Sequence, residues 1–112
     1  MQVREVSSEQ LALWEYYALM ALAAGERRDD GVATDIARLS MRRVVLTLPE
    51  TRALLRRLVR AGCVLSIERK GDDGKPQPTM HVLTRDGEIR LAKETRTMAA
   101  LLRTSDGERY VE

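Results

Sequence analysis

Thr47-Leu-Pro-Glu-Thr-Arg-Ala-Leu-Leu-Arg-Arg-Leu-Val-Arg-Ala-Gly62 is the stretch on which the reading of this chain turns. Thr47 with Glu50 three residues on forms a capping box, Pro49 falls in the first turn where its missing N–H costs nothing, and Gly62 suits the left-handed position after the last turn. These signals bound a helix of about four turns. Leu48, Leu54, Leu55, Leu58, Val59 and Ala61 recur on one side, and Arg52, Arg56 and Arg60 line the other at i, i+4 and i+8, flanked by Arg57. One face is built for a core. Arginines spaced this closely repel unless an anion lies against them, and the DNA backbone is the commonest polyanion to do so; a solvated basic face is the alternative.

The charge distribution agrees with a localised anion site. Residues 36–70 hold 9 Lys or Arg against 2 Asp or Glu, whereas residues 1–35 hold 3 against 7 and residues 71–112 hold 7 against 8. A basic patch on a nearly neutral molecule steers nucleic acid to one face. At 112 residues and 44% hydrophobic content the chain suits one domain with a modest core. One cysteine, Cys63, and one histidine, His81, furnish neither an internal disulfide nor a metal site, which points to a reducing compartment. The apolar run from Leu11 to Ala24 contains Glu15 and falls short of the roughly 20 residues a bilayer needs. No signal peptide is evident, and the expected location is the cytoplasm.

Working outward, Ser7-Ser-Glu-Gln10 is a second capping box, opening a helix that runs to about Ala24 and stops at Gly25. Its apolar residues lie all the way round, and a helix apolar on every side is covered on every side. That predicts a homodimer sharing this helix between core and subunit interface, the alternative being cover by the chain's own terminal segments. After a polar turn, Val32-Ala33 reads as a short strand, and Thr34 or Asp35 caps a helix turning Ile36, Ala37, Leu39 and Val44 inward and Arg38, Arg42 and Arg43 outward. Val44-Val-Leu46 either ends that helix or forms an extended turn.

Beyond Gly62, Cys63 to Arg69 and Thr79 to Leu83 read as paired strands around a long, mobile loop, Lys70-Gly-Asp-Asp-Gly-Lys-Pro-Gln-Pro78. Thr84-Arg-Asp-Gly-Glu88 then caps a helix to about Arg103, whose stripe of Leu91, Ala92, Thr95, Met98, Ala99 and Leu102 suits dimerisation or packing on the first helix. Residues 105–112 are expected to form a flexible tail, with Tyr110-Val111 able to dock.

Asp35-Ile-Ala-Arg-Leu39, Leu54-Leu-Arg-Arg-Leu-Val-Arg-Ala-Gly-Cys-Val64 and Val82-Leu-Thr-Arg-Asp-Gly87, in this order, resemble the second helix, the end of the recognition helix and the post-wing cap of the MarR and PadR families of regulators. The resemblance covers roughly residues 9 to 103. Three departures stand out: a longer segment before Thr47, a wing without the Asp-Arg-Arg signature of MarR proteins, and Arg52 where PadR proteins usually carry an aromatic residue. The implied fold is α+β and mostly helical, a winged helix-turn-helix with a three-helix core, a two-stranded β wing and a C-terminal helix. Residues 1–104 would form the DNA-binding domain, its terminal helices building the dimer interface.

The resemblance implies a sequence-specific double-stranded DNA-binding protein, a dimeric, repressor-like transcriptional regulator. Pro49, Glu50, Arg52, Ala53 and Arg56 would reach base edges, Arg57, Arg60, Arg42 and Arg43 phosphates, and Arg69, Lys70 and Lys75 the minor groove. Rival readings are a winged-helix module for protein contacts, which would lack the basic face, and a plasmid partition, replication or phage control protein. An enzyme is not expected. His81 on a strand and Cys63 after a helix stop read as packed residues, Asp29-Asp30 and Asp72-Asp73 as solvated turn acids, and no cofactor or phosphate-loop motif is present. A small-molecule pocket lined by Trp14, Tyr16, Tyr17 and Met98 is the remaining possibility, against plain core and dimer packing.

Overall fold

Both capping boxes form. In the computed structural model, Ser7 and Gln10 close the start of α1 (Ser8–Ala23), and Thr47 and Glu50 close the start of α3 (Leu48–Arg60). The structure describes residues 6–110, and side chains of residues 6–100. Between these helices lies α2 (Asp29–Leu39); after them come β1 (Val64–Ile67), β2 (Met80–Leu83) and α4 (Arg85–Tyr110). Gly62 follows α3 at φ 79°, the left-handed position its place in the sequence predicts.

The core is where the first three helices meet. Ala18, Leu19 and Leu22 of α1 pack with Val32 and Ile36 of α2 and with Leu54, Leu55 and Leu58 of α3, closed by Val44, Leu46, Cys63 and Val64. Thr51 is fully buried, its hydroxyl donating to the Thr47 carbonyl at 2.9 Å. Leu48 and Val59, expected inward, are 39% and 37% exposed. The inward stripe of α3 is therefore narrower than its apolar residues suggest, because a polar residue bonded to its own backbone can take a core position.

Val32-Ala33 is helical, contrary to the strand reading: α2 begins at Asp29, which puts Val32 one turn before Ile36, and both are fully buried. The nearest extended pairing is a single bridge between Arg27 and His81, with reciprocal backbone bonds of 3.1 and 2.8 Å. Val44-Val-Leu46 does not continue the helix: α2 ends at Leu39, residues 40–42 turn, and residues 44–46 lead without regular structure to α3. Ser40 anchors the turn, accepting from the Val44 N–H at 3.0 Å, while Met41 and Arg42 take left-handed φ values of 54° and 63°. Two consecutive residues with a Cβ in that region cost roughly 1–2 kcal/mol each, and the turn they make puts Met41, Arg42 and Arg43 on the surface.

The antiparallel wing pairs Val64 with Leu83 and Ile67 with Met80, so its strands are shorter than the sequence suggests. Pro76 and Pro78 remove donors from the returning strand. The long loop is nonetheless tied together: Gly71 N–H donates to Lys75 O and Gln77 N–H to Arg69 O, both at 2.8 Å. These bonds hold the two limbs of the loop together. Thr84 accepts from Gly87 N–H at 3.0 Å and donates to Gly62 O at 2.7 Å, joining the start of α4 to the end of α3. The helix continues past Arg103 to Tyr110, taking in residues 105–110 read from sequence as tail; no proline interrupts them, and one glycine costs only about 1 kcal/mol. Val111 lies outside the described residues.

Candidate nucleic-acid interface

The exposed side of α3 carries Arg52, Arg56, Arg57 and Arg60, and the tertiary structure divides them. Arg56 and Arg60 are exposed and have no acid partner among the described residues. Arg57 turns back to α1, its Nε donating to Glu15 Oε2 at 3.1 Å. Glu15 is buried, and its other oxygen accepts from Arg90 Nη2 of α4 at 2.9 Å. Burial of Arg90 pushes its pKa down, but hydrogen bonds to Glu94, Glu15 and Cys63 outweigh this and hold it above the ordinary arginine value.

Arg52 also has an acid neighbour. Its Nε donates to Asp29 Oδ2 at 2.9 Å, while the side chain stays 53% exposed. Asp29 Oδ1 accepts from His81 Nε2 at 2.5 Å, and His81 Nδ1 meets Ser66 Oγ at 2.8 Å. Burial raises the Asp29 pKa, yet the hydrogen bonds from Arg52 and His81 prevail and hold it below the usual carboxylate value. Arg52 and Arg56 share a concavity of about 350 Å³ between α3 and the wing, with Glu68, Thr79 and His81 on its walls.

The other residues predicted to meet DNA fall into two groups. Pro49, Arg42, Arg43, Lys70 and Lys75 are exposed, and Ala53 is half-buried beside them on α3. Glu50 is withdrawn: it is 8% exposed, and its Oε1 accepts from the Thr47 N–H at 2.9 Å, so it caps the helix and is not presented to a base edge. Arg69 lies away from the wing tip, in a two-point pair with Glu26 at 2.8 and 3.2 Å. That pair holds the Glu26 carboxyl below its usual range. The sequence reading missed Glu15, Glu26 and Asp29 as partners of these arginines; an acidic stretch just before a helix was the only local sign of Asp29.

Trp14 and Tyr17 pack against the core, and the Tyr16 hydroxyl lies 3.3 Å from Thr95 Oγ1. An open cleft of about 800 Å³ does separate α1, β2 and α4. Leu22, Ala23, Glu26, Val82, Leu91 and Thr95 are among its walls, and none of Trp14, Tyr16, Tyr17 and Met98 lines it. Those aromatic rings sit on the part of α1 nearer its start, which corrects the expected pocket lining. Among the described residues no cluster of His, Cys, Asp and Glu could hold a metal ion, and no helix is long and apolar enough to cross a membrane.

No protein-family model matches the chain, and no curated protein matches its sequence. Solved structures do share its architecture. A PadR-like transcriptional regulator from Bacillus cereus is similar at a TM-score of 0.75 and 14% identity, over 95% of this chain and 100% of that one. A PadR-like transcription factor from Bacteroides fragilis gives 0.72 at 18% identity, over 88% and 92% of the two chains. Bacillus subtilis PadR, solved in complex with operator DNA, gives 0.61 at 16% identity, over 72% of this chain and 45% of its own. The chain thus has the winged helix-turn-helix fold of PadR-like regulators.

Proposed function

We propose that this chain is a sequence-specific double-stranded DNA-binding protein, a dimeric and repressor-like transcriptional regulator. The observation that supports it most is the row of arginines on α3, with Arg56 and Arg60 free of acid partners among the described residues, beside a wing carrying Lys70 and Lys75. The same fold, in Bacillus subtilis PadR, was solved with operator DNA. Similar regulators are not enzymes, and no catalytic role is assigned to any residue here.

In this reading α3 enters the major groove with its N-terminal half foremost. Arg52 and Arg56 offer their guanidinium forks to guanine edges, with Pro49 and Ala53 close to the bases. Arg60, Arg42 and Arg43 meet phosphates, which set register without reading sequence. Lys70 and Lys75 bring the wing tip to the minor groove. Arg57 and Arg69 serve the protein's own acids.

The dimer is formed by the terminal helices of the domain spanning residues 1–104. It is supported by the half-exposed Leu11, Leu13, Trp14 and Met20 of α1 and by the open cleft beside α4. Two copies of α3 then lie about 34–36 Å apart on a near-palindromic site. A DNA-binding regulator of this kind works in the cytoplasm.

The test is an electrophoretic shift on duplex DNA at low and at raised salt. The expected result is a shift that weakens steeply as salt rises. No shift at low salt overturns the DNA reading, and a monomer at micromolar concentration by sedimentation overturns the dimer.

A further inference from the structure

We propose that Asp29, His81 and Ser66 are positioning residues that aim the Arg52 guanidinium at a guanine, making Asp29 a determinant of sequence specificity. The inference rests on the reading of α3 as the helix that enters the major groove.

An arginine as exposed as Arg52 ordinarily samples many rotamers and gives up that freedom when it contacts a base. Asp29 engages only Nε, at 2.9 Å, and no contact among the described residues occupies Nη1 or Nη2. The free edge of the fork is the edge that fits guanine O6 and N7. Asp29 therefore orients Arg52 without using up the atoms that read.

Asp29 is itself held from behind. A carboxylate only accepts hydrogen bonds, so His81 Nε2 carries the proton donated to Oδ1, and in the neutral ring Nδ1 accepts the Ser66 hydroxyl. The ring is buried between β1 and the start of α2, and its backbone pairs with Arg27 in both directions. The aim of one side chain on α3 is thus set by β1, β2 and α2 together. Arg28 and Asp30 beside Asp29 pair with each other at 3.3 Å and leave the relay to these four residues.

Charge separates this role from simple attraction. A carboxylate beside a DNA-reading arginine opposes the phosphates, so Asp29 adds discrimination and subtracts from general affinity. A purely structural role predicts the reverse, with all binding weakened by its loss.

The experiment selects bound duplexes from a randomised pool, using wild type, Arg52→Ala, Asp29→Ala and Ser66→Ala. Affinity for a nonspecific duplex is measured alongside. Wild type is expected to enrich a site in which Arg52→Ala erases a guanine preference at one position, worth about 5- to 150-fold. Asp29→Ala is expected to lose that same preference several-fold, keep the others, and bind nonspecific duplex as well as wild type or better. Ser66→Ala, which leaves the Asp29–Arg52 pair intact, is expected to lose less at the same position. Retention of the preference by Asp29→Ala, or a uniform loss across sequences, overturns the proposal. If Asp29→Ala does not fold, Ser66→Ala decides, and an unchanged preference there overturns it. A wild type that binds every sequence alike overturns this inference and leaves DNA binding standing; one that binds no duplex overturns both.

Discussion

Arg57 on the basic helix points its Nε at Glu15, a buried acid on α1, across 3.1 Å. Arg90 of α4 takes the second carboxylate oxygen at 2.9 Å and also holds Glu94 at 3.0 Å. One carboxylate therefore joins three helices, and an arginine that sequence periodicity groups with the basic row of α3 pairs within the fold.

Replacing Glu15 by Ala is expected to destabilise the protein by about 1–3 kcal/mol, since it takes the acceptor from Nη2 of Arg90, whose side chain is only 29% exposed and keeps Glu94 alone as an acid partner among the described residues. Arg57→Ala should cost less than about 1 kcal/mol, because that partner is half in solvent. Urea unfolding of the two variants measures both, and equal losses would contradict this account of the clamp.

The division of the arginines predicts different salt responses. Removing Arg60 should weaken binding to all duplexes and lower the slope of log affinity against log salt by about 1, as for one lost phosphate contact. Arg57→Ala should leave that slope near the wild-type value. A titration of nonspecific duplex at several salt concentrations distinguishes the two, and matched slope changes would place Arg57 on the DNA.

Acid should loosen the attachment of α2 to α3. The Asp29 carboxyl lies below its ordinary value of 3.8: burial raises it, and the Arg52 and His81 hydrogen bonds lower it further than burial lifts it. Ionised Asp29 therefore stabilises the fold above the unfolded value, and this contribution is lost as pH falls through the lowered folded value. Below about pH 4 the stability of wild type should fall more steeply than that of Asp29→Asn. Thermal melts at pH 3 to 6 check this, and parallel curves would refute it.

Gly87 is buried in the first turn of α4, and a Cβ there would collide with the Cys63 carbonyl oxygen and crowd Leu83 at 2.7 Å. Backbone cannot swing aside as a flexible side chain does. Gly87→Ala should cost about 3 kcal/mol, read as a lowered melting temperature. Gly71 faces the movable amide of Gln77 instead, so Gly71→Ala should cost far less.

Much of this molecule is local and was legible from its residues in order. Ser7 with Gln10 and Thr47 with Glu50 set helix starts that the structure reproduces, and Gly25, Gly62 and Thr84 mark boundaries correctly. These signals work because a cap acts within about four residues, through backbone donors whose positions the helix itself dictates. Val32 was misread because a short apolar pair fits a strand as well as the first turn of a helix.

The tertiary structure alone decided which charges remain available. Glu15 and Arg57 stand 42 residues apart, Asp29 and Arg52 23, and Asp29 and His81 52. A charged side chain on an exposed face looks the same in sequence whether or not a distant acid lies beside it. Only packing brings the two within hydrogen-bond reach. Periodicity thus determined that α3 has a basic face, and the fold divided that face into Arg52 paired with Asp29, Arg57 paired with Glu15, and Arg56 and Arg60 without an acid partner among the described residues.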